Sequence, residues 1–74
     1  MPRYHFITRG EKRDGQDPVA GDFRDDKAAI DDARAALADM MRDAAIEGTR
    51  FDDEIEVSTE FGKVIANVQL KQGG

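Results

Sequence analysis

The chain has no cysteine and no tryptophan, a single histidine and only two prolines among its 74 residues. Without cysteine there is no disulfide framework, no thiolate nucleophile and no Cys-based zinc site, so the chain is indifferent to the redox compartment. Long apolar runs are missing too: nothing approaches the roughly 20 residues of a membrane-spanning helix. The opening MPRYHFITRG lacks the apolar core of a secretion signal. The expectation is a soluble, cytoplasmic, intracellular protein with no membrane partner. Basic residues are in deficit, with 11 Lys and Arg against 16 Asp and Glu and a net charge of −5. Phosphate-neutralising domains carry the opposite balance, so no nucleic-acid partner is expected, while a basic partner stays open.

The sequence also lacks a glycine loop that cradles phosphate and an acidic loop with calcium-ligand spacing. Acidic pairs do recur, at Asp25/Asp26, Asp31/Asp32 and Asp52/Asp53/Glu54. They read as a solvated face, with Asp31 and Asp39 each three residues from an arginine, Arg34 and Arg42. No metal ligand and no cofactor is expected.

What is present is one long amphipathic stretch, residues 25–48. Ile30, Ala33, Leu37, Met40 and Ala44 recur at steps of three and four, with Ala29, Ala36 and Met41 widening the stripe. Asp25 or Asp26 supplies an N-cap oxygen, and Gly48 supplies a stop. The resulting helix over residues 26–47 is about 33 Å long and needs a sheet to cover.

The remaining segments alternate as strands do. Over Arg3 to Arg9, Tyr4, Phe6 and Thr8 fall on one face and Arg3, His5, Ile7 and Arg9 on the other. Residues 10–15 (GEKRDG) form a turn, and a short edge strand follows over residues 16–20, where Pro18 excludes a central place. Phe23 is placed to staple onto the first helical turn. Past the helix, Thr49 and Arg50 turn the chain and Phe51 plugs the core. Residues 53–59 put Ile55, Val57 and Thr59 inward, and Gly62 reverses the chain. Residues 63–70 put Val64, Ala66, Val68 and Leu70 inward, with Lys63, Ile65, Asn67 and Gln69 outward. The predicted fold is α+β: a two-layer sandwich with one helix across a three- or four-stranded antiparallel or mixed sheet. The expected core is Tyr4, Phe6, Ile30, Leu37, Met40, Phe51, Ile55, Val57, Val64, Ala66 and Val68. Residues 1–70 make one domain, and 71–74 a flexible tail.

MPRYHF, GDFRDDKAAIDDARAA and EIEVSTEFGKVIANV together resemble a family of short alphaproteobacterial, rhizobial-type proteins catalogued as a domain of unknown function. The resemblance spans most of the chain and is carried by Arg3, Tyr4 and Phe6, the Asp and Ala run that opens the helix, and Val57, Gly62 and Val64. Family members tend to place an aromatic where His5 stands and a histidine where Ile7 stands. They often end the last strand in Pro-Phe, where this chain has Gln69 and Leu70. The resemblance implies the fold and carries no established activity.

Among chemistry-bearing residues, His5 and Ser58 share the outer sheet face. A hydrolytic pair needs a concave, partly dry site, and both read as ordinary surface residues, so no enzymatic activity is expected. The outer face offers Arg3, His5, Ile7, Lys63 and Ile65, an apolar pair rimmed by charge, with Phe61 at a turn tip as a further anchor. The leading expectation is a non-catalytic module that binds a protein partner or a second copy through this face. Two alternatives remain. One is a ubiquitin-like or sulfur-carrier protein acting through a C-terminal Gly73-Gly74. The other is a small regulatory protein acting on transcripts or toxins.

Overall fold

The computed structural model of the chain describes residues 1–10, 18–48 and 51–70. In order come β1 (Arg3–Arg9), β2 (Val19–Asp22), α1 (Asp26–Glu47), β3 (Glu54–Thr59) and β4 (Val64–Gln69). The strands form one sheet in the order β2-β1-β3-β4, with every pairing antiparallel. The helix packs on one face of that sheet, against β3 and β4. This is the two-layer α+β arrangement that the sequence predicts. Because β2 and β3 are each antiparallel to β1, they run in the same direction with β1 between them, and α1 is the crossover that connects them. The expected turns over residues 11–15 and at Thr49 and Arg50, the start of the second strand at 16–17 and the tail at 71–74 lie outside the described residues.

The helix boundaries follow from the capping chemistry. Asp25 is extended, with φ −159° and ψ 175°, and its side chain accepts from the Ala28 N–H at 2.8 Å. At the other end Gly48 adopts φ 73° and donates its N–H to the Ala45 carbonyl at 3.2 Å. A residue with a Cβ resists that left-handed conformation, so glycine is the natural stop. Arg42 pairs with Asp39 at 2.7 Å as expected. Asp31, expected near Arg34, pairs instead with Lys27 at 3.0 Å, one turn earlier.

The core lies between α1 and the inner face of the sheet. Tyr4, Ala29, Ala33, Leu37, Phe51, Ile55, Val57 and Val68 are buried, with Phe6, Phe23, Ile30, Met40, Ile65 and Ala66 packed around them. Leu37 and Val57 are fully enclosed, and burying a side chain of that size stabilises the fold by about 1.5–3 kcal/mol. Two alanines of the helix, Ala29 and Ala33, are buried with them.

One strand departs from its expected facing. Val57 pairs with Ala66 but Ser58 pairs with Val64, so Ile65 is an extra residue opposite that step, a β-bulge. Upstream of the bulge the alternation reverses. Val64, expected in the core, shares the outer face with Ser58 and is 52% exposed. Ile65, expected outside, is half-buried and packs against the core. The second strand also runs further than expected, to Asp22 rather than Ala20. Pro18, with no N–H to give a ladder, lies outside it, and Gly21 and Asp22, which resemble turn residues, pair with Tyr4 and Arg3.

Candidate functional site

Strand alternation places Arg3, His5, Ile7 and Arg9 of β1 on the outer face, opposite Asp22 and Ala20 of β2 and Ser58, Glu56 and Glu54 of β3. Much of this face is consumed by its own polar contacts. Arg3 Nε lies 3.3 Å from Asp22 Oδ1, and Arg9 Nη2 lies 3.6 Å from Glu56 Oε2. Gln69 Nε2 donates to the Glu54 carboxylate. The apolar pair expected here is broken up, because the bulge turns Ile65 inward and leaves Ile7 with Val64. His5 and Ser58 stand directly opposite each other, with Ser58 buried, yet no hydrogen bond joins them. Phe61 is 88% exposed at the tip of the β3–β4 turn, where the Gly62 N–H donates to the Thr59 carbonyl at 2.9 Å. Lys63 follows it, exposed. The expected interface residues therefore fall into two groups, Arg3, His5 and Ile7 across the sheet, and Phe61 and Lys63 at the hairpin tip.

The inner face holds a second candidate. Since α1 packs over β3 and β4, the β1–β2 half is left partly open, and a cleft of about 380 Å³ lies between that half and the helix. Phe6, Val19, Phe23, Met40 and Ile55 give it apolar walls, and Ala33 and Ala36 line the helical side. Phe6 and Phe23 meet edge to face with ring centroids 5.6 Å apart, the geometry that aromatic quadrupoles favour. The position of Phe23 is fixed through the backbone, where its N–H donates to the Pro2 carbonyl at 3.0 Å. Gly21 makes room for it: a Cβ there would stand 3.0 Å from Phe23 Cε2. Phe23 thus packs against the aromatics of β1, Phe6 and also Tyr4. Among the described residues that line the cleft, the hydroxyl of Thr8 and the carboxylate of Asp32 are the polar side chains.

The helix start is tied to the sheet beside this cleft. The Tyr4 hydroxyl donates to Asp26 Oδ1 at 2.6 Å. That hydrogen bond holds the phenol protonated, with burial and the negative charges of Asp26 and Asp25 acting the same way, and pushes it up to about 12 from an ordinary value of 10.0. The bond joins the first turn of α1 to β1.

Residues 3–71 match the family model of a domain of unknown function, DUF6894. The chain belongs to that family. No curated protein and no solved structure matches it.

In this DUF6894 domain the cleft draws on β1, β2, the segment before α1, α1 and β3, and the sequence pattern did not assemble it. A signal was present nonetheless. Ala33 and Ala36 are small residues facing aromatics, and small residues on a helix flank leave space that a short sheet does not fill. The acidic clusters of the DUF6894 domain are dispersed, and no group of three His, Cys, Asp or Glu able to hold a metal ion occurs among the described residues. None of its described helices is long and apolar enough to cross a membrane.

Proposed function

We propose that this DUF6894 domain is a non-catalytic binding module whose partner is a protein, received at the cleft between α1 and the β1–β2 half of the sheet. The observation that carries this reading is the off-centre helix: it leaves aromatic surface of the inner face reachable from solvent, where a domain built only for stability would close it. A volume of about 380 Å³ lies within the ~300–1,000 Å³ of ordinary ligand sites. The outer face is the weaker docking surface because its charges already pair across the strands. The non-catalytic reading is supported by His5 and Ser58, which face each other across β1 and β3 without a hydrogen bond between them.

The test compares proteins recovered with the tagged full chain from its native host with those recovered by two variants. Ala36→Arg places a long side chain into the cleft from an exposed helical position, where arginine is a good helix former. Ile7→Lys alters the outer face opposite Glu56. The expected result is loss of partners with Ala36→Arg and retention with Ile7→Lys. The reverse pattern moves the function to the outer face, and retention with both overturns binding at either surface.

A further inference from the structure

The flank of α1 above the cleft differs in charge from the rest of the helix. Asp32, Ala36 and Met40 line the cleft at successive turns. Asp39 and Asp43 lie seven and eleven residues beyond Asp32, within about 20° of it around the helix axis, so the three carboxylates form a row on the helix that starts at the cleft with Asp32. The basic residues of the helix, Lys27, Arg34 and Arg42, lie on the side of that row away from the cleft, with Arg42 near enough to pair with Asp39. Asp39 is engaged by Arg42, whereas Asp32 and Asp43 are exposed and carry no ion pair or hydrogen bond among the described residues. Eleven residues of rise separate them, about 16 Å, roughly the span of five residues of extended chain.

We propose that the cleft receives a basic segment of a partner polypeptide. An apolar side chain enters between Phe6, Phe23 and Met40, and lysines or arginines about five residues apart reach Asp32 and Asp43. This inference rests on the cleft being the binding surface and adds the chemistry of its occupant. The distance between Asp32 and Asp43 selects a peptide over a small amine, because a compact cation seated in the cleft reaches Asp32 but not both. The direction of the charge agrees with the whole chain, whose net charge of −5 draws cationic partners and repels anionic ones. Among the described residues neither carboxylate is tied into the fold by an ion pair or hydrogen bond.

The experiment uses three capped hexapeptides, Lys-Gly-Phe-Leu-Gly-Lys and its counterparts with glutamine or glutamate in place of both lysines. Each is titrated into the isotopically labelled full chain and followed by amide and methyl resonances. The expected result is binding of the lysine peptide with shifts at Thr8, Phe23 and Met40. Its affinity should exceed that of the glutamine peptide by about tenfold at low salt, as two exposed ion pairs allow, and by about twofold or less in concentrated salt. The glutamate peptide should bind weakest. Asp32→Asn with Asp43→Asn should bring the lysine peptide down to the glutamine one while leaving the latter unchanged. Equal binding of all three peptides at the cleft overturns the basic partner and leaves the cleft as a binding site. Absence of shifts at the cleft with every peptide overturns the cleft reading itself, and the basic partner with it.

Discussion

The bulge at Ile65 makes a prediction that two neighbouring substitutions decide. Plain alternation across β4 buries Val64 and exposes Ile65, whereas the observed register does the reverse. Aspartate at either site carries the same strand-propensity cost of up to ~1 kcal/mol, which cancels in the comparison. At Val64, 52% exposed, about half the ~1.5 kcal/mol of a buried valine is lost and the new carboxylate meets water, so the further cost stays below about 1 kcal/mol. At Ile65 about 1–1.5 kcal/mol of apolar burial is lost, and a partly desolvated carboxylate adds ~1–2 kcal/mol, for a total of about 3 kcal/mol. A 74-residue domain is stable by about 4–11 kcal/mol, so the second loss is a large fraction of the whole. In urea unfolding, with a slope of about 1 kcal/mol per molar for so small a chain, the Ile65→Asp midpoint should fall about 2 M below that of Val64→Asp. Equal midpoints, or a lower one for Val64→Asp, would refute the bulged register.

The remaining predictions concern the core and its tie to the helix. Tyr4 is the sole tyrosine of the chain, so tyrosinate absorbance reports it alone; the folded protein should titrate at about 12 and the urea-unfolded chain near 10. Because the folded phenol is the weaker acid, its contribution to stability is complete below about pH 10 and is lost as pH rises from there through about 12. Asp26→Asn should return the folded titration toward 10, and a midpoint left at about 12 would remove the hydrogen bond as its cause. Leu37→Ala, at a fully enclosed site, should cost about 2–5 kcal/mol and lower the unfolding temperature accordingly by calorimetry; a loss below ~1 kcal/mol would place Leu37 outside the core.

The elements differ in how openly the sequence displays them. The helix over Asp26–Glu47 and the strand over Arg3–Arg9 are legible to the residue, because Asp25 and Gly48 cap the one and clean alternation marks the other. The fold class follows, since a long one-sided helix beside short alternating strands has few other ways to bury its stripe. What escapes is whatever depends on two strands at once. A bulge is a property of the pairing between Ser58 and Val64, and nothing in the β4 segment alone distinguishes an extra residue from an ordinary one. The candidate site escapes for the same reason. Its walls come from segments scattered between Phe6 and Ile55, and its openness depends on where α1 settles across the sheet, which periodicity along the helix does not encode. The outer face stands out in the sequence because alternation puts Ile7 and Ile65 on it together, and the bulge turns Ile65 inward.

The position of β1 has a consequence for synthesis. It precedes the other strands of the domain in the chain, yet it lies inside the sheet, pairing Tyr4 with Thr59. Its β2 partner is available early, but the ladder that joins it to the rest of the core waits until β3 has left the ribosome. Until then the aromatic face of β1 stays uncovered by β3. No amino-terminal portion of this chain can be a smaller version of the domain, so a product truncated before β3 has no native core to fall back on and is exposed to proteolysis from end to end.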